Sequence, residues 1–197
     1  VCGAPNVGKS AFISSLSTGK MEVNHYPFTT KQLHVGHFTH RRVPHQLVDT
    51  PGLLDRPMSD RNAIEMQAIA AIEHVGSLCI FLMDISESCG TSLDDQHNLL
   101  DEVKSLLPEI DIIVVVSKAD LMEPLPVNWD EVKQSESEWD GEGEPFLPIL
   151  VDEEGCVTIS ATENVGVTSL RLEMARRCKE NSKSDAMTLP EGWHRKD

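Results

Sequence analysis

Gly3-Ala4-Pro5-Asn6-Val7-Gly8-Lys9-Ser10 sets two glycines, a lysine and a hydroxyl at the spacing GxxxxGK[ST]. That combination suits one chemistry above others, the cradling of a phosphate chain. The glycines let the backbone wrap an anion with successive N–H groups turned inward. A helix opening at this point adds the positive end of its dipole. Lys9 would reach the β- and γ-phosphates, the Ser10 hydroxyl would ligate Mg²⁺, and Asn6, Val7, Gly8 and Ala11 complete the nucleotide-binding loop.

Three further signals follow in chain order. Asp49-Thr50-Pro51-Gly52 comes directly after a strand-like run. A carboxylate at a strand end can hold Mg²⁺ through water, and Gly52 can turn its N–H toward a γ-phosphate. Ser117-Lys118-Ala119-Asp120 closes the most apolar run of the chain. There the Asp120 carboxylate would accept the ring N–H and the exocyclic amine of guanine, a pair adenine does not offer, while Lys118 lies across the base. Ser160-Ala161-Thr162 would present a backbone N–H to the guanine oxygen. Singly, DTPG is an ordinary turn and Lys-x-Asp is common. In this order, each at the C-terminal end of a strand, they mark the edge where open α/β sheets bind ligands.

The elements that must position these residues are legible in the hydropathy. Residues 110–116 carry five consecutive β-branched apolar side chains, and 78–83 form a second such run, with a shorter one at 157–159. Continuous rather than alternating apolarity marks strands covered on both faces. Helical periodicity over 60–75 and 92–107 falls between them. Residues 33–40 and 43–48 form a hairpin leading into the sheet. The pattern predicts an α/β domain with a mostly parallel central sheet of about six strands, one near-edge pair antiparallel, and helices on both faces. That domain is expected over residues 1–180, with its first strand truncated and a polar tail over 181–197.

Length and composition agree with one globular domain. The chain has 197 residues, 40% hydrophobic and 25% charged. Seventeen Lys and Arg against 32 Asp and Glu leave a net charge of −15, which argues against a stand-alone nucleic-acid binder. Ten acidic residues and a single lysine fall between Asp130 and Glu154. This stretch reads as an acidic insertion, its core at 134–144 a solvated or partly disordered loop. No apolar run is long enough to span a membrane. The N-terminus lacks a signal-peptide pattern, and five cysteines without CxxC spacing read as reduced intracellular thiols.

These segments carry a family resemblance. GAPNVGKS, DTPG, SKAD and SAT resemble the G1, G3, G4 and G5 boxes of translation-factor-type GTPases. The text around them, from Tyr26-Pro27-Phe28-Thr29-Thr30-Lys31 through Val35-Gly36-His37 to DTPGLLDRP and the run from Arg61 to Ile69, resembles the nucleolar GTP-binding protein 1 family within the Obg group. The likeness is close over residues 1–121, resumes at Ser160 and leaves out the acidic insertion. It implies a P-loop G domain that hydrolyses GTP to GDP in large-ribosomal-subunit assembly, with rRNA and ribosomal or assembly proteins as partners and no membrane. It also implies a nucleolar or nuclear address, while the departures of this sequence from the family pattern point to an organellar relative, in a mitochondrion or chloroplast.

Residue by residue, the resemblance assigns Thr30 to switch I, completing Mg²⁺ with Ser10 and Asp49, and Asn6 to a K⁺ ion beside the phosphates. Lys9, Thr30 and Gly52 take the catalytic roles. Leu53 stands where Ras-like GTPases carry a water-orienting glutamine, so intrinsic hydrolysis is expected to be slow and aided by K⁺ or a partner. Ser117 replaces the usual asparagine of its box, removing an amide that bonds the loop and the base. Two non-enzymatic alternatives stay open: a GTP-binding switch that reports occupancy, or a docking module with a structural nucleotide. His34, His37, His40 and His45 around Arg41-Arg42 read as a solvated hairpin, with a basic RNA contact as the alternative and zinc disfavoured. Trp129 and Trp139 fall outside the expected core.

Overall fold

The computed structural model describes residues 1–19, 22–24, 33–53, 77–126, 128–141, 148–151 and 155–185, together with Met66, Ile69, Ala70, Ile72 and Glu73. The elements in order are β1 (Cys2–Gly3), α1 (Lys9–Leu16), β2 (Glu22–Asn24), β3 (Leu33–His40), β4 (Val43–Asp49) and β5 (Cys79–Asp84). After these come α2 (Leu93–Leu106), β6 (Ile112–Ser117), a 3₁₀ turn (Ala119–Leu121), α3 (Trp129–Glu138), β7 (Val157–Thr158) and α4 (Val167–Asp185).

The uninterrupted apolar runs form the parallel sheet, in the order β1-β5-β6-β7. Phe81 pairs with Cys2 on one side and Val114 on the other, and Val157 aligns with Val115. Every residue of β5 is buried, as expected for a strand covered on both faces. Helix α1 packs on β3, β4 and α4, and α2 packs on β5 and β1. Helix α2 falls within the periodic span 92–107 and is capped at its start: the Ser92 hydroxyl accepts the Asp95 N–H at 3.1 Å, and Glu87 accepts the Leu93 N–H at 2.7 Å. From the 60–75 periodicity, Ile69 and Ile72 are helical and buried; most of that segment lies outside the described residues.

Three expectations are corrected. Among the described residues the parallel sheet has four strands, fewer than the six expected; the hairpin joins β2 in a separate antiparallel sheet, β2-β3-β4. The two sheets touch at one corner, where the Val1 nitrogen donates to Val48 O (2.9 Å) and Thr50 N–H to Val1 O (3.2 Å). Buried and exposed residues alternate along much of β3 and β4 is largely exposed, which an antiparallel sheet with one wet face tolerates and a doubly covered one does not. The second correction concerns the acidic stretch. Residues 134–138 of the expected loop belong to a helix over 129–138, while 142–144 lie outside the described residues. Trp129 and Val132 are buried with Ala119, Leu150 and Val165 in a small cluster of their own, so Trp129 is a core residue after all. Helix α4 likewise runs to Asp185, into the stretch expected to be tail.

Candidate nucleotide site

The phosphate-loop sequence folds as a left-handed wrap between β1 and α1. Gly3 sits at φ 139°, and a Cβ there would meet Leu82 O at 2.4 Å, so only glycine lets β1 lie against β5 at this point. Asn6 and Gly8 also take positive φ, 60° and 102°, and Gly8 is the N-cap of α1. Val7 is buried in the core, while Asn6, Ser10 and Ala11 are exposed. Lys9 is buried and folds back over the loop, its Nζ donating to Ala4 O (2.7 Å) and Gly3 O (3.2 Å). Burial lowers its pKa from the ordinary lysine value, opposed mainly by Asp49.

Asp49, the last residue of β4, accepts the Ser10 hydroxyl on Oδ2 at 2.6 Å. Its Oδ1 is buried without a hydrogen-bond partner among the described residues. A buried carboxylate oxygen with no donor, beside a serine hydroxyl, is an arrangement that a hard divalent cation completes. The following residues are fastened to the loop. Gly52 lies so close that a Cβ would be 2.9 Å from Pro5 Cα. Leu53 N–H donates to Gly3 O at 3.1 Å, and Thr50 Oγ1 to Val1 O at 2.9 Å. Leu53's own side chain is wholly buried in the main core, so it cannot face a reacting water.

Pro5, Asn6, Lys9, Ser10, Asp49 and Gly52 line a cleft of about 370 Å³, with His34 on its wall. His34 pairs across the β3–β4 ladder with Asp49, which places both side chains on one face. His34, expected on a solvated hairpin, reaches the cleft through this register, which depends on the turn at Arg41-Arg42. Thr30 lies outside the described residues. Among those described, no three His, Cys, Asp or Glu side chains cluster as a metal site, and His45 stacks on Phe38 with ring centroids 4.7 Å apart.

At the other end, Ser117 closes β6 with its hydroxyl within reach of Val7 O (2.8 Å) and Met83 O (2.9 Å). The tie to the phosphate loop, expected to be lost with the asparagine, is thus kept by the shorter side chain. Lys118 is left-handed (φ 59°) and its Nζ meets Asp84 Oδ2 at 2.6 Å and Ser88 Oγ at 2.8 Å. Asp120, in the 3₁₀ turn, accepts the Ser160 hydroxyl at 2.5 Å. Ala119 N–H donates to Ile159 O at 3.1 Å, so the two loops are neighbours, with Ala161 half-exposed in the turn after Ser160.

Asp84 is the residue that sequence reasoning missed. It is fully buried at the end of β5 and also accepts Cys89 N–H (2.8 Å), Ser86 Oγ (2.5 Å) and Ser88 Oγ (3.0 Å). Burial alone would raise its pKa, but the bonds from Lys118, Ser86 and Ser88 outweigh it and hold the carboxyl below its ordinary range. The buried Gln96 side chain grips the Asp84 backbone, accepting its N–H at 2.8 Å and donating to its O at 3.1 Å. An acidic residue ending an otherwise apolar strand was the available signal.

A phosphate-type loop, a carboxylate at the end of the adjoining strand and two recognition-type loops at one edge of a parallel sheet define the P-loop GTPase G-domain fold. A family model described as nucleolar GTP-binding protein 1 (NOG1) matches residues 63–120. The chain is 45% identical over 124 residues to the nucleolar GTP-binding protein 1 of Drosophila melanogaster, covering 63% of this chain and 19% of that one. It is 36% identical over 186 residues to that of Kluyveromyces lactis, covering 94% and 28%. A crystal structure named for nucleolar GTP-binding protein 1 of Plasmodium falciparum superposes with a TM-score of 0.66 at 32% identity, covering 94% of this chain and 88% of that one. The chain belongs to the nucleolar GTP-binding protein 1 family. It spans 19% to 28% of the length of these two curated relatives.

Proposed function

We propose that residues 1–180 form a G domain that binds GTP and hydrolyses it to GDP. The observation that supports this most is the Ser10–Asp49 contact with its orphaned Asp49 Oδ1, set beside a buried Lys9 ammonium. Ser10 and Asp49 would hold Mg²⁺, with Thr30 joining when GTP is present; the metal would supply neutralisation of the phosphate charge. Lys9 exchanges its carbonyl partners for phosphate oxygens and stabilises negative charge on the group transferred. Gly52 presents its N–H to the γ-phosphate, and Asn6 would ligate K⁺. Asp120, braced by Ser160, accepts the two guanine donors, and Lys118, held by Asp84, lies along the base.

The name carried by the relatives, nucleolar GTP-binding protein 1, supports a nucleolar setting over an organellar one, and we infer a large-ribosomal-subunit precursor as the partner. Among the described residues no helix is long and apolar enough to cross a membrane. One observation favours a second reading, a GTP-binding switch without turnover: the side chain of Leu53 is wholly buried, and among the described residues no glutamine lines the cleft. Phosphate release decides between them. In K⁺ buffer with Mg²⁺ the chain should hydrolyse GTP slowly, faster than in Na⁺, and EDTA should stop it. Tight GTP binding with no phosphate released, alone or with ribosomal precursor, would establish the switch instead.

A further inference from the structure

Guanine recognition in this chain hangs on the two loops carrying Lys118 to Asp120 and Ser160 to Ala161. Both rest on the small apolar cluster of Ala119, Trp129, Val132, Leu150 and Val165, two of whose members come from the acidic helix α3. That helix is therefore the floor beneath both loops. Its half-buried Glu136 adds directional contacts. Oε2 accepts the Gly166 N–H at 2.9 Å, and Oε1 accepts both the N–H and the hydroxyl of Ser169 at 2.7 Å. These backbone donors, at the N-terminal end of α4, have no intrahelical carbonyl to bond, and a carboxylate there is favoured by the helix dipole. One turn earlier on α3, Lys133 Nζ meets Glu163 at 2.6 Å.

The segment so gripped is closed on itself. Ser160 and Val165 exchange two backbone hydrogen bonds, 2.9 and 3.0 Å. Gly166 follows at φ 75°, where a Cβ would lie 2.8 Å from Thr158 O, so this corner accommodates little movement. Inside the loop the Ser160 hydroxyl donates to Asp120 Oδ1 and accepts the Glu163 N–H at 3.0 Å. A displacement at Gly166 passes through the Val165–Ser160 pair to the Asp120 carboxylate.

We propose that Glu136 is a positioning residue for guanine recognition. By gripping the start of α4 it fixes the Ser160–Val165 loop and the Asp120 carboxylate, so that the acidic helix sets how long a guanine nucleotide is retained. This rests on the reading of Asp120 and Ala161 as guanine contacts.

The test is the release rate of N-methylanthraniloyl-GDP from the full chain on mixing with excess GDP. Glu136→Gln keeps the side-chain shape but turns an NH₂ toward N–H donors. It should speed release about tenfold while pyrophosphate affinity, which reads the phosphate loop alone, changes by no more than about twofold. Ser169→Ala removes one contact of three and should give a smaller acceleration of the same kind. Release at the unsubstituted rate in Glu136→Gln overturns the proposal, and so does a parallel loss of pyrophosphate affinity. An unsubstituted chain that fails to prefer GDP over ADP removes the guanine reading itself, and this role with it. A chain that prefers GDP yet is indifferent to Glu136 sinks the positioning role alone.

Discussion

Lys9→Met is expected to weaken GDP and GTP binding by roughly a hundredfold to a thousandfold while leaving the fold in place. The lysine ammonium is buried against the loop that would enclose the phosphates, 2.7 Å from Ala4 O and 3.2 Å from Gly3 O. Hydrogen bonds to charged groups contribute about 1.5–3 kcal/mol each, and two made to β- and γ-oxygens are only partly offset by the carbonyl bonds given up. A net loss of about 3–4 kcal/mol corresponds to that range of affinity. Methionine preserves the apolar stem that fills the space beneath the loop, so the melting temperature should hold where Lys9→Ala would leave a void. Titration with a fluorescent GDP measures the effect. Affinity within about threefold of the unsubstituted chain would remove the loop from the phosphate site.

Asp120→Asn has the second large effect, and it acts on selectivity. The carboxylate would accept two donors that only guanine presents on that edge, and sites built on such pairs discriminate by up to about 10⁴–10⁵. Asparagine replaces one acceptor oxygen with an NH₂ that faces a guanine N–H. GDP affinity should fall at least about a hundredfold, ADP affinity should barely move, and the ratio of the two should collapse. Asparagine also keeps an oxygen for the buried Ser160 hydroxyl, whose proton alanine would leave without its acceptor at a cost of about 1–3 kcal/mol. Competition titrations with GDP, ADP and pyrophosphate separate the base from the phosphate end. An unchanged GDP-to-ADP ratio would mean that Asp120 does not read the base.

What could be read in the residues was whatever depended on local pattern. Five β-branched side chains in a row specify a doubly covered strand, and β6 is that strand. Helical periodicity over 92–107 specifies an amphipathic helix, and α2 spans Leu93–Leu106. The loop from Gly3 to Ser10 and the turn at Asp49 to Gly52 are similarly local, and the structure brings them to one cleft. What stayed hidden depended on partners distant in sequence. Helix α3 presents only Trp129 and Val132 to the interior; a two-residue stripe in a run of acids gives almost no periodic signal, and its burial needs Leu150 and Val165 from elsewhere. His34 faces the cleft because of the β3–β4 register. The role of Asp84 depends on Lys118, 34 residues on, which the fold brings to its carboxylate. Ser117 departed from the pattern of its box, yet its hydroxyl still reaches the Val7 carbonyl.

Titration calorimetry of the unsubstituted chain with GDP and with ADP, each with Mg²⁺ and then with EDTA, bears most directly on the whole account. It predicts tight binding of GDP, ADP weaker by at least about a hundredfold, and a marked loss of GDP affinity once the metal is chelated. Equal affinities for the two nucleotides, with no response to chelation, would contradict it.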